Sequence, residues 1–142
     1  MCIRDRSVSG AGDVNGDGFD DVIITVNSFA PSGEDECYVV FGKGGSFSQS
    51  LDLSVLDGSN GFLVNGVTPV FSGGFSVSGA GDINDDGIDD LIIGEALTSP
   101  NGNYFAGESY VVLGNAGGFS PCLLYTSPSP RDLSTSRMPS SA

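Results

Sequence analysis

GDVNGDGFDD, residues 12–21, sets an oxygen-bearing side chain at alternate positions from Asp13 to Asp17, follows it with Gly18 and closes on Asp21. A near copy, GDINDDGIDD, occupies residues 81–90. Counting from Asp13 and Asp82, positions 1, 3, 5 and 9 are Asp13, Asn15, Asp17 and Asp21 in one copy, and Asp82, Asn84, Asp86 and Asp90 in the other. A tightly coiled loop aims such alternate side chains inward, and the backbone carbonyl at position 7, from Phe19 or Ile88, adds another oxygen. Gly18 and Gly87 at position 6 permit the sharp turn that this aiming requires. Every donor is a hard oxygen, and the chain contains no His. Calcium accepts six to eight such oxygens in flexible geometry, whereas magnesium demands a near-ideal octahedron and zinc prefers nitrogen and sulfur. Two calcium sites are therefore expected. Asp20, Asp85 and Asp89 fall between the ligand positions and are expected to face solvent.

A helical calcium hand fails on two counts. It needs a bidentate Glu at position 12, and that position holds Ile24 or Ile93. It also needs flanking helices, whereas the runs that follow, VIIT (22–25) and LIIG (91–94), are β-branched and suit strands. The loop is expected to staple the corner of a β-hairpin.

The copies belong to a longer repeat. SVSGAGD occurs at 7–13 and again at 76–82, an offset of 69 residues, and ECYVVFG (36–42) matches ESYVVLG (108–114) after a longer loop in the second copy. Each unit reads as four strands: FSVSG (75–79) with its counterpart from Ser7, DVIIT (21–25) or DLIIG (90–94), CYVVFG (37–42) or SYVVLG (109–114), and GFLVNG (61–66). The apolar runs of the second strands do not alternate, which suggests burial on both faces. Before the fourth strand, Asp57-Gly58 and Asn60-Gly61 are turn signals. No stretch sustains a helical period. Units of this length with four short strands fit the blades of an all-β propeller, whereas a β-helix needs much shorter repeats and two separate sandwiches would each be too small for a good core.

The ends read differently. MCIRDR (1–6) can be encoded by ATG TGT ATA AGA GAC AG plus one base, and CLLYTS (122–127) by TGT CTC TTA TAC ACA TCT, whose opening run is the reverse complement of the first. Residues 1–6 and the Ser/Pro-rich 122–142 are accordingly expected to be translated sequencing adapter, the latter disordered. Blade unit 1 then covers 7–75 and a partial unit 2 covers 76–121. Outside those flanks Lys43 is the only base, against sixteen of the 18 acids, so the core segment carries a formal charge of −15. That excess argues against nucleic acid and anionic membranes as partners. All 22 Gly lie within the core segment, in keeping with many tight turns. Cys37 is its single cysteine, which leaves no internal disulfide, and it lacks the basic neighbours of a reactive thiol.

GGFSVSGAGDINDDGIDDLIIGEA (73–96) resembles the FG-GAP repeat, the blade unit of the integrin α-subunit head and of many bacterial surface proteins. The likeness lies in a Phe-bearing start, Gly-Asp before the acidic loop and Asp-Leu after it, and it extends over nearly all of residues 7–121. Gly94-Glu95-Ala96 and Thr25-Val26-Asn27 stand where the family closes on Gly-Ala-Pro. The resemblance implies a seven-bladed propeller with calcium loops on one face and ligand-binding loops on the other, of which this segment is a fragment of about two four-stranded antiparallel blades. It also implies a cell-surface or secreted protein that binds a protein or glycan ligand. A purely structural propeller, or the accessory domain of an extracellular hydrolase, stays open beside that reading. No nucleophile and base can be assembled: there is no His, and GFSVSG lacks the second Gly of a nucleophile elbow. GKGGS (42–46) lacks the first Gly of a phosphate loop. The segment is thus expected not to be an enzyme, to have no membrane-inserting part, and to place recognition on its variable loops, 27–35 and 96–107, the second carrying Tyr104 and Phe105.

Overall fold

The computed structural model describes residues 5–26, 36–65, 75–96 and 106–124. The loop at 27–35 and most of 96–107, including Tyr104 and Phe105, lie outside the described residues. The fold is all-β, with one short 3₁₀ turn, Leu53–Val55, and no α-helix among the described residues. Among the described residues no helix is long and apolar enough to cross a membrane.

Two sheets form in sequence order. Strands β1 (Asp5–Gly12), β2 (Asp21–Val26), β3 (Glu36–Val40) and β4 (Gly61–Asn65) make an antiparallel meander. Strands β5 (Phe75–Gly81), β6 (Asp90–Glu95) and β7 (Glu108–Val112) make the second. The register repeats as the sequence does: Ile23 faces Val39 across β2 and β3, and Ile92 faces Val111 across β6 and β7. The four strands expected in a unit are all present in the first sheet. A further strand, β8 (Cys122–Leu124), pairs in parallel with β4 through Leu63 and Cys122. This corrects the expectation of disorder for the first residues of 122–142, because the open edge of β4 offers unpaired amides and carbonyls that a following extended segment satisfies. Its bond from the Leu63 amide to the Pro121 carbonyl, 3.0 Å, starts the pairing.

The sheets stack face to face, approaching most closely where β1 meets β5, with β2 against β5 and β1 against β6. The repeated Ser-Gly-Ala-Gly makes that approach possible. A Cβ added to Gly79 would stand only 3.0 Å from the Gly10 carbonyl oxygen and 3.1 Å from that of Ala11, so larger residues would force the inner strands apart. Ile23, Cys37, Val39 and Phe62 of the first sheet and Val77, Leu91, Ile93 and Val112 of the second are buried in one continuous core. Farther out, Phe119 crosses from the second unit and stacks on Phe62, with centroids 4.2 Å apart and planes 12° from parallel, and Phe41 packs obliquely on both rings. Cys37 sits inside this core. Burial pushes its thiol up to about 12, as suits a packed side chain rather than a reactive one.

Candidate metal centre

Each acidic loop joins the first two strands of its sheet, so the expectation of a hairpin corner holds. The turn chemistry is as the glycines imply: Gly18 and Gly87 adopt φ of +89° and +87°. Position 4 is also left-handed, φ +73° at Gly16 and 61° at Asp85, and Asp is among the few non-glycine residues that enter this region with ease.

Within the first loop, the Asp13 carboxylate accepts from the amides of Asp17 at 2.9 Å and Gly18 at 2.8 Å. Asn15 Oδ1 accepts from the same Asp17 amide at 3.0 Å, while Asn15 Nδ2 donates to the Asp17 carboxylate at 2.9 Å. The Asp17 carboxylate in turn accepts from the Phe19 amide at 2.9 Å. The second loop repeats the set: Asp82 accepts from Asp86 and Gly87, Asn84 from Asp86, and Asp86 from Ile88. Positions 1, 3 and 5 are therefore brought together around the inside of the turn. Position 7 enters through its amide.

Position 9 behaves differently. Asp21 is buried, and its two oxygens accept from the amides of Val14 at 2.9 Å and Gly42 at 2.7 Å. Asp90 bridges Ile83 and Gly114 in the same way, at 2.9 and 2.8 Å. These carboxylates tie each loop to the segment that leaves the third strand. Burial pushes the Asp21 carboxyl above its usual range, the two backbone hydrogen bonds oppose this, and the negative Asp17 and Asp13 add to the rise. The loop thus gathers negative charge, yet among the described residues no group of three or more His, Cys, Asp or Glu side chains is arranged so that it could hold a metal ion. The donors nonetheless suit a hard cation. A carboxylate oxygen has two lone pairs, and the amide bonds use one on each oxygen of Asp13 and Asp21.

The intervening acids do not all face solvent. Asp20 and Asp85 are exposed, but Asp89 is half-buried and reaches across to the other sheet. Its carboxylate accepts from the Asp13 amide at 2.9 Å, and its own amide donates to the Asp13 carbonyl at 3.1 Å. The correction has a steric basis. Gly12, at φ +73°, leaves open the space that the Asp89 carboxylate occupies, which a Cβ would overlap. Gly81, its counterpart in the second unit, has nothing within 4 Å of the same point. Gly12→Ala is accordingly expected to cost about 3 kcal/mol, from the left-handed backbone and the displaced charged hydrogen bond, and Gly81→Ala only the backbone share of about 1 kcal/mol. Urea unfolding of the two variants in dilute solution checks the contrast, and equal losses would contradict it.

Stacked sheets with one acidic corner apiece, each built around the contiguous antiparallel strands of one repeat, are consistent with a fragment of a β-propeller. Residues 6–36, from β1 to the first residue of β3, match the family model of the FG-GAP repeat. That stretch is therefore an FG-GAP repeat, and the three strands of the second sheet repeat the order and corner bonds of the first three strands of the first. No curated protein matches the chain.

Proposed function

We propose that the chain is a calcium-stabilised propeller module of a secreted or cell-surface protein, which binds a protein or glycan ligand and does no chemistry of its own. The observation that carries the calcium reading is the duplicated inward set Asp13, Asn15, Asp17 and Asp82, Asn84, Asp86, ringed by backbone amides in the same pattern at both corners. Calcium would be held by these oxygens, by the carbonyls of Phe19 and Ile88, and by the second lone pairs of Asp21 and Asp90. Bound there, it would offset the repulsion among carboxylates that the loop concentrates. Extracellular calcium modules bind at about 10⁻⁴ to 10⁻³ M, so such sites fill outside cells. The excess of acids and the occurrence of FG-GAP repeats in surface proteins support the same setting.

Calorimetric titration of chelator-treated protein with calcium tests this reading. Two ions are expected to bind, Asp17→Asn or Asp86→Asn should each remove one, and the absence of binding at about ten times the upper affinity limit would sink it. Adhesion is tested separately, by screening the calcium-loaded chain against glycan and matrix-protein arrays.

A further inference from the structure

The first acidic corner is held open at its start by the second. Asp13, position 1 of the first corner, has both of its backbone polar groups engaged by Asp89: its N–H donates to the Asp89 carboxylate at 2.9 Å, and its carbonyl accepts from the Asp89 amide at 3.1 Å. Val14 is tied in a similar way. Its carbonyl accepts from the Asn115 amide at 2.9 Å, while its N–H stays within the first unit, on Asp21. The second unit thus holds three of the four polar backbone groups of Asp13 and Val14. These two residues begin the loop whose coil the Asp13 carboxylate then closes, through the amides of Asp17 and Gly18. A shift of Asp89 is therefore a shift of the position 1 carboxylate.

Asp89 is itself fixed by the second corner. It stands between Ile88, the source of the position 7 carbonyl, and Asp90, the position 9 carboxylate, which is buried on the amides of Ile83 and Gly114. One peptide unit serves both corners. A trans peptide is planar and sets its C=O and N–H in opposite directions, so the bond from the Asp89 amide to Asp13 turns the Ile88 oxygen away from the Asp13 carbonyl. An ion drawing on that oxygen would polarise the whole peptide unit and strengthen the bond that its N–H donates. Side-chain packing adds a second link. Ile88 is partly buried, and a Cβ on Gly16, position 4 of the first loop, would stand 3.7 Å from its Cδ1. Phe19, its equivalent in the first corner, is 45% exposed.

Electrostatics works against such a link. Asp13, Asp17 and Asp21, like Asp82, Asp86 and Asp90, give each corner three formal negative charges, and filling one corner weakens its pull on an ion in the other. At about 0.15 M salt that pull is screened beyond about 8 Å, whereas the hydrogen bonds of the clasp act by contact.

We infer that the two corners bind calcium as a coupled pair, with Asp89 of the second acting as a positioning residue for the first. Filling either corner steadies the clasp and raises the affinity of the other, by the same factor in both directions as linkage requires. The inference rests on the calcium reading above and adds the connection between the sites. The coupling is expected to be about fivefold or more.

Calorimetric titration of the chelator-treated full chain with calcium, in about 0.15 M KCl, tests it. Asp17→Asn leaves the second corner to bind alone, and Asp86→Asn the first. Wild type should half-fill at about twofold lower calcium than the sum of those two single-site isotherms, as fivefold coupling of two similar sites requires. Calcium added to Asp17→Asn should also move the Asp13 amide resonance in an NMR spectrum, although the first corner stays empty. Asp89→Ala, measured against the same single-corner variants in its own background, should bring simple additivity. Asp89→Asn should keep the excess, because its side-chain oxygen still accepts from the Asp13 amide. Both variants lack the charge, so their contrast reads geometry alone. A wild-type isotherm equal to the sum, an unmoved Asp13 resonance, or Asp89→Ala and Asp89→Asn chains that behave alike would each overturn the coupling and leave the calcium reading standing. A wild-type chain that binds no calcium overturns both.

Discussion

Calcium is expected to raise the melting temperature of chelator-treated protein by roughly 10–20 °C at about 10 mM. With dissociation constants of about 10⁻⁴ to 10⁻³ M, binding that concentration stabilises the folded state by about 1.4–2.7 kcal/mol per site, and two sites roughly double this. The stabilisation would arise because the inward carboxylates can share an ion only when the loop is coiled; an unfolded chain holds them apart. Scanning calorimetry in calcium, magnesium and chelator decides the matter. Melting temperatures that agree within about 1 °C in calcium and chelator would rule out a stabilising ion. The double variant Asp17→Asn, Asp86→Asn should abolish the shift while retaining the hairpin corners, since an amide oxygen still accepts from the position 7 amide but brings no charge.

Phe62→Ala is expected to destabilise the protein by about 3–5 kcal/mol, a large part of the stability of a domain this size. Phe62 is fully buried, and its ring is the surface on which Phe119 stacks, so truncation both opens a cavity and unseats the aromatic side chain that crosses from the second unit. Phe47→Ala supplies the comparison. The residue occupies the position in the first unit that Phe119 occupies in the second, yet it is exposed, and in dilute solution its loss should change stability by less than about 0.5 kcal/mol. Urea denaturation followed by circular dichroism measures both. Similar midpoints for the two variants would show that Phe119 does not anchor the second unit on the first.

Much of this fold is legible in the sequence because its signals are local. Hydrophobic runs between glycine-rich turns locate the strands, and the offset repeat shows that two sheets are built alike. The inward pattern at positions 1, 3 and 5 is equally local, for it depends on side chains reaching amides two to five residues away. What stays hidden are the relations between units. Asp20 and Asp89 are the same residue in the same motif, and only the stacking makes one a surface charge and the other a clasp across the junction. The unbroken apolar runs of β2 and β6 imply two buried faces each, yet among the described residues each sheet has one face covered by the other sheet. The role of Asp21 was also out of reach, since its bond to the Gly42 amide spans two strands and a loop whose length does not repeat between units.

The clasp between Asp89 and the Asp13 backbone bears on how such a protein lengthens. Both halves of the junction recur at the same offset of 69 residues, one before the acidic corner and one at its end. Tandem duplication of residues 7–75 would therefore insert a unit that carries both halves of the clasp. No compensating substitution is needed for the new contact. Growth or loss of whole blades is thus a one-step genetic event in a lineage that carries this junction, and the glycine under the clasp is the position that purifying selection should guard most closely.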